Sequence, residues 1–325
     1  MSTVDPRRRS AIKALGAFSL SGAATFLHAQ AAWPAKPVRI VHGYDSGSNP
    51  DTVARAIQAE LSGRLGQPVI IEPKPGAGGR IATAYVATQE PDGYTLMMLT
   101  GGDGVLAATD PKLPYDLARD YAFISTVIQF AFVIMVKADS PIKTLAEAID
   151  AAKKNPGKLS FATPGIRTTQ HLSGELINTT ANISLLHVPF KGNSFQDLIG
   201  GRVDLMIAAP SVSTPQIKGG AVRAIAVTAR NRLETLPGVP TVAETLPGFE
   251  VTSWLGLAAP VKTPAMVQNR LNAEVRQAVT LEAVRARLLA MGGDPVGGSQ
   301  DEFRTRIESD IRKWKELART AKLDG

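Results

Sequence analysis

The segment Val38–Leu65, VRIVHGYDSGSNPDTVARAIQAELSGRL, decides the fold class. Val38–Gly43 is short and largely apolar, which predicts a buried strand. After a loop of small residues, apolar side chains recur at four-residue spacing, at Val53, Ile57, Leu61 and Leu65. That spacing predicts a helix with one buried face. A strand that passes through a short loop into such a helix is the repeating unit of α/β proteins.

The same alternation continues along the chain in two sets. Further strands are predicted at Val69–Glu72, Thr95–Thr100, Phe130–Val136, Leu159–Thr163, Leu186–Pro189, Asp204–Ala208, Ala224–Thr228 and Trp254–Pro260. Helices are predicted at Pro50–Leu65, Ile81–Gln89, Leu145–Lys154, Thr168–Thr180, Phe195–Gly200, Pro264–Thr280, Leu281–Met291 and Gln300–Ala321. We expect an α/β protein of two lobes, each a mixed, mostly parallel sheet flanked by helices. Lobe 1 is expected at 33–126 and 254–325 and lobe 2 at 127–253, with extended crossings near 125–137 and 250–258.

The composition is that of a globular protein. Of the 325 residues, 44% are hydrophobic and 20% charged. The formal net charge is +7; four basic residues and one acidic residue fall within the first 31, which leaves +4 for the rest. Because no basic tract is interleaved with aromatic residues, nucleic acid is not an expected partner. The absence of cysteine excludes disulfides, thiolate catalysis and zinc–thiolate sites.

Residues 1–31 have the pattern of an export signal. Arg7–Arg9 and Lys13 form a basic start, Ala14–Leu27 is apolar, and a small-residue cleavage site ends at Ala31. The arginine run resembles the twin-arginine pattern. The alternative, an N-terminal membrane anchor, is disfavoured because the apolar run is interrupted and shorter than the roughly 20 residues that span a bilayer. We therefore expect a periplasmic protein.

Ser46 raises the question of a catalytic serine. Asp45-Ser46-Gly47 resembles the nucleophile loop of chymotrypsin-like proteases, which are all-β proteins, whereas this segment joins a strand to a helix. Gly43 and Gly47 also put Ser46 one residue late for the Gly-x-Ser-x-Gly turn of α/β-hydrolases. His42 is too close along the strand to act as its base without special geometry. A serine hydrolase is therefore the disfavoured alternative.

The residues of the same loop indicate instead that its backbone amides bind an anion. Asn49 as N-cap, Pro50 at the first helical position and Asp51 in the first turn describe a helix start. Free amides and the helix dipole make such a start a receptor for an anion. The open alternative is that the loop only caps the helix and faces water.

Residues 159–172, LSFATPGIRTTQHL, repeat this arrangement in the second set. Thr168 or Thr169 would cap a helix with His171 in its first turn. Arg167 would add a charged fork suited to a carboxylate. Alternatively, Arg167 is solvated and His171 is a packing residue. Two helix starts, one in each lobe, fit a ligand with a carboxylate at each end.

Motifs along nearly the whole chain after Lys36 resemble one family. They include KPVRIVHGYDSGSNPDTVAR, GQPVIIEPKPGAGG, PDGYTLMM, LPYDLARDYAFIS, KKNPGKLSFATPGIRTTQHLSGE, HVPFKG, GGRVDLMIAAPS, GVPTVAE and WLGLAAPVKTP. The chain resembles the Bug, or TctC-like, substrate-binding proteins of tripartite tricarboxylate transport systems. The resemblance implies a type II-like periplasmic binding protein fold with two crossover strands as a hinge. It also implies a monomer without catalytic activity, cofactor or metal, which delivers a dicarboxylate or aromatic carboxylate to membrane permease subunits.

The resemblance also implies that loops of both lobes hold the ligand. The predicted ligand-binding residues are Tyr44, Ser46, Gly47, Ser48, Asn49, Asp51, Thr100, Gly101, Thr163, Gly165, Arg167, Thr168, Thr169, His171, Phe190, Lys191 and Ala208. Ala208 stands where the family usually has Asp, and Gly165-Ile166-Arg167-Thr168 stands where members commonly have Gly-Asn-Gly-Thr. These departures favour a ligand that is more anionic than an amino acid. A ligand-loaded sensor that docks on a membrane receptor would use the same pocket and is the alternative role.

Overall fold

The computed structural model describes residues 33–190 and 195–321, and the predicted export signal lies outside these ranges. The strands are β1 (Val38–His42), β2 (Val69–Pro73), β3 (Thr95–Thr100), β4 (Tyr121–Ala131), β5 (Val133–Lys137), β6 (Ser160–Thr163), β7 (Leu186–Pro189), β8 (Leu205–Ala208), β9 (Val222–Val227), β10 (Thr252–Pro260) and β11 (Gly293–Pro295). The helices are α1 (Asn49–Leu65), α2 (Arg80–Ala87), α3 (Gly101–Thr109), α4 (Leu117–Asp120), α5 (Leu145–Lys154), α6 (Thr169–Ala181), α7 (Phe195–Ile199), α8 (Pro210–Lys218), α9 (Ala265–Thr280), α10 (Glu282–Ala290) and α11 (Gln300–Ala321). Strands and helices alternate, as the periodicity predicts.

The start of α1 lies one residue earlier than predicted. Ser48, not Asn49, is the N-cap, with extended backbone at φ −69° and ψ 168°. Its carbonyl oxygen already accepts the first helical hydrogen bond, from the Thr52 N–H at 2.9 Å. Pro50 falls in the first turn, where a missing N–H leaves no helical bond unmade. The helix ends at Leu65, and Gly66 leaves it with φ of 67°, a conformation that glycine adopts without strain.

The first sheet has six strands in the order β11-β4-β10-β3-β1-β2. Strand β1 is parallel to β2 and β3, while β10 runs antiparallel to β3 and β4. The sheet is mixed, as expected, but parallel pairs do not dominate, because β10 runs antiparallel to both β3 and β4, and β11 runs antiparallel to β4. Since β1 and β3 are parallel, their carboxyl ends at His42 and Thr100 lie at the same edge.

The second sheet has five strands in the order β7-β6-β8-β5-β9. Strand β6 is parallel to β7 and β8, and β5 is antiparallel to β8 and β9. The carboxyl ends of β6 and β8, at Thr163 and Ala208, therefore also share one edge. In open α/β sheets this edge is where ligands bind.

The chain crosses between the sheets at Phe132 and at Val251. The single strand predicted over Phe130–Val136 is two strands, because β4 ends at Ala131 in the first sheet and β5 begins at Val133 in the second. Between them the Phe132 N–H donates to the Thr228 side chain at 2.8 Å and not to a neighbouring strand. The return passage follows β9 and enters β10 after Val251.

Two helices that begin at strand ends were missed by sequence analysis. Helix α3 follows Thr100 directly and contains Gly101, Gly102 and Gly104, and glycine is a poor helix former. Helix α8 carries Pro215 in its interior, which removes a backbone donor and usually ends a helix. Both helices start at the edge where the parallel strands end.

The C-terminal helix α11 closes the core of the first sheet, as expected for the closing helices. The Phe303 ring lies 5.0 Å from the Trp254 ring and 5.6 Å from the Phe123 ring, both in edge-on geometry. Trp254 Nε1 donates to Asp310 Oδ2 at 2.6 Å, so the buried indole keeps a polar partner. Among the described helices, none has the length and apolar character needed to cross a bilayer.

Candidate functional site

A crevice lies where the carboxyl ends of the parallel strands of both sheets meet. Its open space is about 610 Å³ when the solvent at its mouth is counted. Its lining from elements of the first sheet is Tyr44, Ser48, Asn49, Pro50, Thr100, Gly102, Phe130, Ser253 and Leu255. Its lining from the crossing and the second sheet is Phe132, Pro164, Thr169, Gln170, Met206, Ala208, Ala209 and Val212.

Four helices begin at this crevice. Asn49 of α1, Gly102 of α3, Thr169 of α6 and Val212 of α8 all line it from the first turns. The first N–H groups of a helix have no partner within the helix, and the helix dipole adds partial positive charge there. The crevice can therefore attract an anion without any cationic side chain.

The start of α3 is already occupied by a carboxylate of the chain itself. Asp103 Oδ2 accepts from the Thr100 N–H at 2.7 Å, and Oδ1 accepts from the Thr83 hydroxyl at 2.7 Å. Burial raises the pKa of this carboxyl above its ordinary value. Because Asp103 uses the positive end of α3, the starts of α1, α6 and α8 remain for a bound anion.

Two buried hydroxyl groups on the crevice wall have no partner. Ser48 Oγ and Thr169 Oγ1 make no hydrogen bond within the described chain, although both residues are buried. A buried hydroxyl without a partner costs about 1–3 kcal/mol. Gly101 lets the two sides approach, since a Cβ there would lie 3.1 Å from Thr169 Oγ1 and 2.4 Å from Ser253 Oγ. These hydroxyls are placed to bond a polar group inside the crevice.

The rest of the wall is apolar. Phe130 and Phe132 meet edge to face, with ring centroids 5.6 Å apart, and Met206, Val212 and Leu255 extend this surface. None of the described lining residues carries a charge at neutral pH. In the described parts of the chain no three His, Asp or Glu side chains gather into a group that could hold a metal ion. The crevice thus offers a ligand hydrogen-bond donors beside an apolar surface.

The loop between β1 and α1 is fixed from behind by Asp51. Its carboxylate accepts from Arg55 Nε and from the Gly47 N–H, both at 2.9 Å, and lies 3.2 Å from His42 Nε2. Burial alone would raise the pKa of Asp51, but the bonds from Arg55, Gly47 and His42 hold it below its ordinary value. Asp51 therefore shapes the loop as a structural carboxylate.

Ser46 and His42, the pair of the disfavoured hydrolase alternative, have no catalytic geometry. Ser46 is exposed, whereas His42 is fully buried and its Nε2 is engaged by Asp51. A serine and its base must lie within hydrogen-bond reach of each other, which these environments do not provide.

The loop between β6 and α6 is held by two stacked imidazoles. The His171 and His187 rings lie 3.9 Å apart. His171 Nδ1 accepts from the Arg167 N–H at 3.2 Å, and His187 Nε2 lies 2.7 Å from Thr163 Oγ1. Arg167 has φ of 59°, a left-handed conformation that costs energy in a non-glycine residue, so these bonds stabilise the turn.

Thr163 and Thr168 complete that loop. Both hydroxyls donate to the Gly165 carbonyl oxygen, at 3.1 and 2.9 Å, and Thr168 Oγ1 also accepts from the His171 N–H at 3.2 Å. Thr168 is therefore the N-cap of α6, one of the two alternatives that the sequence left open.

A second, larger cavity, with about 1510 Å³ of open space counted in the same way, adjoins the crevice. The two share Tyr44 and Pro164. Gly165, Arg167 and Phe190 line the second cavity and not the crevice. The Tyr44 hydroxyl donates to the Gly78 carbonyl oxygen at 3.0 Å, which sets the tyrosine as the partition between them.

The predicted site residues thus fall into several groups. Those that line the crevice are Tyr44, Ser48, Asn49, Thr100, Thr169 and Ala208. Gly101 lies beside it, Ser46 and Gly47 are exposed, and Asp51, Thr163, Thr168 and His171 act within the loops. Lys191 lies outside the described residues.

Several lining residues were not found from the sequence. They are Pro50, Gly102, Phe130, Phe132, Pro164, Gln170, Met206, Ala209, Val212, Ser253 and Leu255. The phenylalanines and Leu255 have the pattern of core strands, and only the two crossings bring them to the crevice. Ala209 and Val212 belong to the start of α8, which the sequence did not reveal. The Pro50 and Gln170 positions could have been found, since each lies next to a predicted site residue.

Comparison with known proteins identifies the family. The profile of the tripartite tricarboxylate transporter family receptor, TctC, matches residues 53–323. A UPF0065 protein from the tcbD-tcbE intergenic region of Pseudomonas sp. strain P51 is 37% identical over 88% of this chain and 86% of its own length. The solved structure of Rpa4515 from R. palustris with adipate is 32% identical, with a TM-score of 0.86, covering 89% of this chain and 98% of that one.

A second solved structure from R. palustris is also similar to this chain. MatC from Rhodopseudomonas palustris with bound malate is 32% identical, with a TM-score of 0.83, and the match covers 87% of this chain and 99% of MatC. The predicted periplasmic binding protein fold, with two mixed sheets flanked by helices, is thereby confirmed. The chain belongs to the TctC family of tripartite tricarboxylate transporter receptors, and it is a periplasmic-type solute-binding protein and not an enzyme.

Proposed function

We propose that this protein captures a small carboxylate in the crevice between the two sheets and delivers it to the permease subunits of a tripartite tricarboxylate transporter. The observation that carries the proposal is the pair of unpartnered buried hydroxyls, Ser48 Oγ and Thr169 Oγ1. They lie at the starts of α1 and α6, one on each side of the crevice. A carboxylate has enough lone pairs to accept from a hydroxyl and from the helix amides at the same place.

The ligand class follows from the lining. Donors are concentrated at the helix starts, and Phe130, Phe132 and Leu255 offer an apolar surface to the rest of the ligand. A dicarboxylate with a short carbon chain, or an aromatic carboxylate, satisfies both surfaces. Adipate and malate, the acids bound by the two R. palustris relatives, have such carbon chains. Ala208 offers no carboxylate to an amine, which disfavours an amino acid.

The working motion is hinge closure. We assign lobe 1 to 33–131 and 252–325 and lobe 2 to 132–251, which moves the predicted bounds so that all of β4 and β10 stays with the first sheet, and the two crossings serve as the hinge. Membership of β10 and β11 in the first sheet supports this division. Closure lets both helix starts contact one ligand, so that affinity depends on lobe geometry as well as on contacts. The protein is exported by the twin-arginine or the general route, and its signal is cleaved near Ala31. It then works as a monomer in the periplasm.

A thermal-shift screen tests the proposal. The panel contains benzoate, malate, adipate and citrate, each beside its uncharged amide or ester. A ligand that binds only the folded state stabilises it by about 2.7 kcal/mol at a hundred times its dissociation constant. We expect at least one acid to raise Tm while its uncharged partner does not, and titration calorimetry to give a single site. If no acid raises Tm or gives heat, the proposed function is wrong.

A further inference from the structure

A hydrogen bond across the crevice joins the starts of α1 and α8. Ser211 Oγ donates to Asn49 Oδ1 at 2.6 Å. Asn49 follows β1 of the first sheet and lines the crevice, whereas Ser211 follows β8 of the second sheet and is not part of the lining. The two residues are 162 positions apart in the sequence. This contact therefore depends on the relative position of the two sheets.

The bond also decides which way the Asn49 amide faces. A side-chain amide has one oxygen that accepts and one NH2 group that donates two hydrogens. The oxygen accepts from Ser211, which leaves the Nδ2 group of this lining residue to other partners. Nδ2 makes no hydrogen bond within the described chain. It is a donor that a ligand oxygen can use.

We propose that Ser211 is a positioning residue for ligand recognition. By holding Asn49 Oδ1, it presents Nδ2 to the ligand and makes the α1 end of the crevice select an acceptor-only group, a carboxylate, over a carboxamide. It also makes this selection depend on closure, because the bond forms only when α8 reaches α1. The inference rests on the proposed function and adds the chemical selectivity of one end of the site.

The chemistry at that end explains the selectivity. The first amides of α1 and Asn49 Nδ2 can only donate, and the Ser48 hydroxyl can donate beside them. A carboxylate can accept from each of them. A carboxamide brings an NH2 group, which meets a second donor and leaves both groups unpaired. Without Ser211, the Asn49 amide can turn over and offer Oδ1 to that NH2 group.

The experiment compares Ser211→Ala with Ser213→Ala. Ser213 lies in the same helix, but its hydroxyl donates to the Ala209 carbonyl oxygen at 3.0 Å and makes no bond to α1. Titration calorimetry uses the full exported protein. Adipate and malate are each compared with their monoamide, and benzoate is compared with benzamide. Loss of one hydrogen bond in Ser211→Ala should weaken binding of the acid about two- to tenfold. The preference for acid over amide should fall by a similar factor, while Ser213→Ala keeps the wild-type preference.

Asn49→Asp supplies the second arm. The aspartate keeps an oxygen acceptor for Ser211 but replaces the Nδ2 donor by an anionic oxygen. Binding of the acids should fall at least tenfold, since like charges then face each other. Circular dichroism and Tm check that each variant is folded.

The outcomes separate the two proposals. If the wild type binds an acid and Ser211→Ala keeps both its affinity and its preference for acid over amide, Ser211 has no positioning role, and the proposed function stands. If Ser211→Ala lost acid and amide affinity equally, the Ser211–Asn49 bond would support closure but not the preference for acid over amide. This result would also overturn the inference. If the wild type binds no acid of the panel, the proposed function fails and the inference falls with it.

Discussion

The Thr228 hydroxyl donates to the Val251 carbonyl oxygen at 2.7 Å, at the point where the chain returns to the first sheet. The same oxygen accepts from the Phe132 N–H at 2.8 Å, on the outgoing crossing. One buried side chain thus bridges both passages between the sheets. Backbone bonds of Thr228 to Phe132 and Val251, each at 2.9 Å, complete the junction. The junction lies where a hinge would have to bend.

Thr228→Val should therefore lower the free energy of unfolding. The valine has nearly the same shape but leaves the Phe132 N–H and the Val251 carbonyl oxygen without side-chain partners, at about 1–3 kcal/mol for each buried group. Urea unfolding followed by circular dichroism measures the loss. Thr228→Ser keeps the hydroxyl and should lose less than half as much. Equal losses in the two variants would mean that the methyl group, not the hydroxyl, carries the effect.

Thr169→Val should separate stability from binding. The valine removes a buried hydroxyl that makes no hydrogen bond within the described residues, so we expect the free energy of unfolding to rise by about 1 kcal/mol. Binding of the carboxylate should weaken by about 1.5–3 kcal/mol, because a hydrogen bond to a charged group is lost. Calorimetry and urea unfolding give the two values.

Ser48→Ala is the matching test on the other side of the crevice. Ser48 caps α1 without a side-chain hydrogen bond, so its loss should not destabilise the helix start. A fall in stability with unchanged affinity in either variant would contradict the assignment of these hydroxyls to the ligand.

The sequence was informative where each element carries its own signal. Thr95–Thr100 and Leu145–Lys154 have the predicted bounds, since one is a fully buried strand and the other an amphipathic helix capped by Thr144. The loop from Ser46 to Asn49 and the helix start near Thr168 were predicted correctly because N-cap residues indicate where a helix begins.

The remainder depends on tertiary contacts. Phe130 and Phe132 look like core residues, and only the crossing between the sheets turns them into crevice wall. The hydrogen bond between Ser211 and Asn49 could not be predicted from the sequence for two reasons. Pro215 argues against the helix that carries Ser211, and no local sequence pattern indicates a contact between lobes.

Arg167→Ala tests whether the second cavity takes part in binding. Arg167 lines this cavity together with Phe190, beyond Tyr44. If a second carboxylate reaches it, Arg167→Ala should weaken adipate by roughly 1–3 kcal/mol and leave benzoate unchanged. Alanine at this position bears the same left-handed backbone, so the difference reports the side chain. Arg202→Ala, at an exposed cation paired with Asp197, is the control. Equal adipate affinity in both variants would remove Arg167 from the site.

The stacked histidines should make stability depend on pH. Burial lowers the pKa of His171 to about 4, helped by the nearby Arg167, and lowers the pKa of His187 to about 3, helped by His171. In the unfolded chain each imidazole titrates near its ordinary value of about 6.5. Between about 6.5 and 4 the unfolded chain therefore binds protons that the folded protein does not, and the free energy of unfolding should fall as pH falls. The contribution of His171 should level off below about 4 and that of His187 below about 3, where the folded protein also takes up these protons.

His187→Gln isolates this contribution. The glutamine keeps an N–H donor for Thr163 Oγ1 but does not titrate, so the variant should lose less stability than the wild type between pH 7 and pH 4. Urea unfolding at several pH values gives both curves, and the other titrating groups, including Asp51 and His42, cancel in the difference. Protonation of His171 at Nδ1 would also oppose the Arg167 N–H that now donates to it, so ligand affinity should weaken over the same acid range. Parallel stability curves for the two proteins would show that the pair does not stay neutral in the folded state.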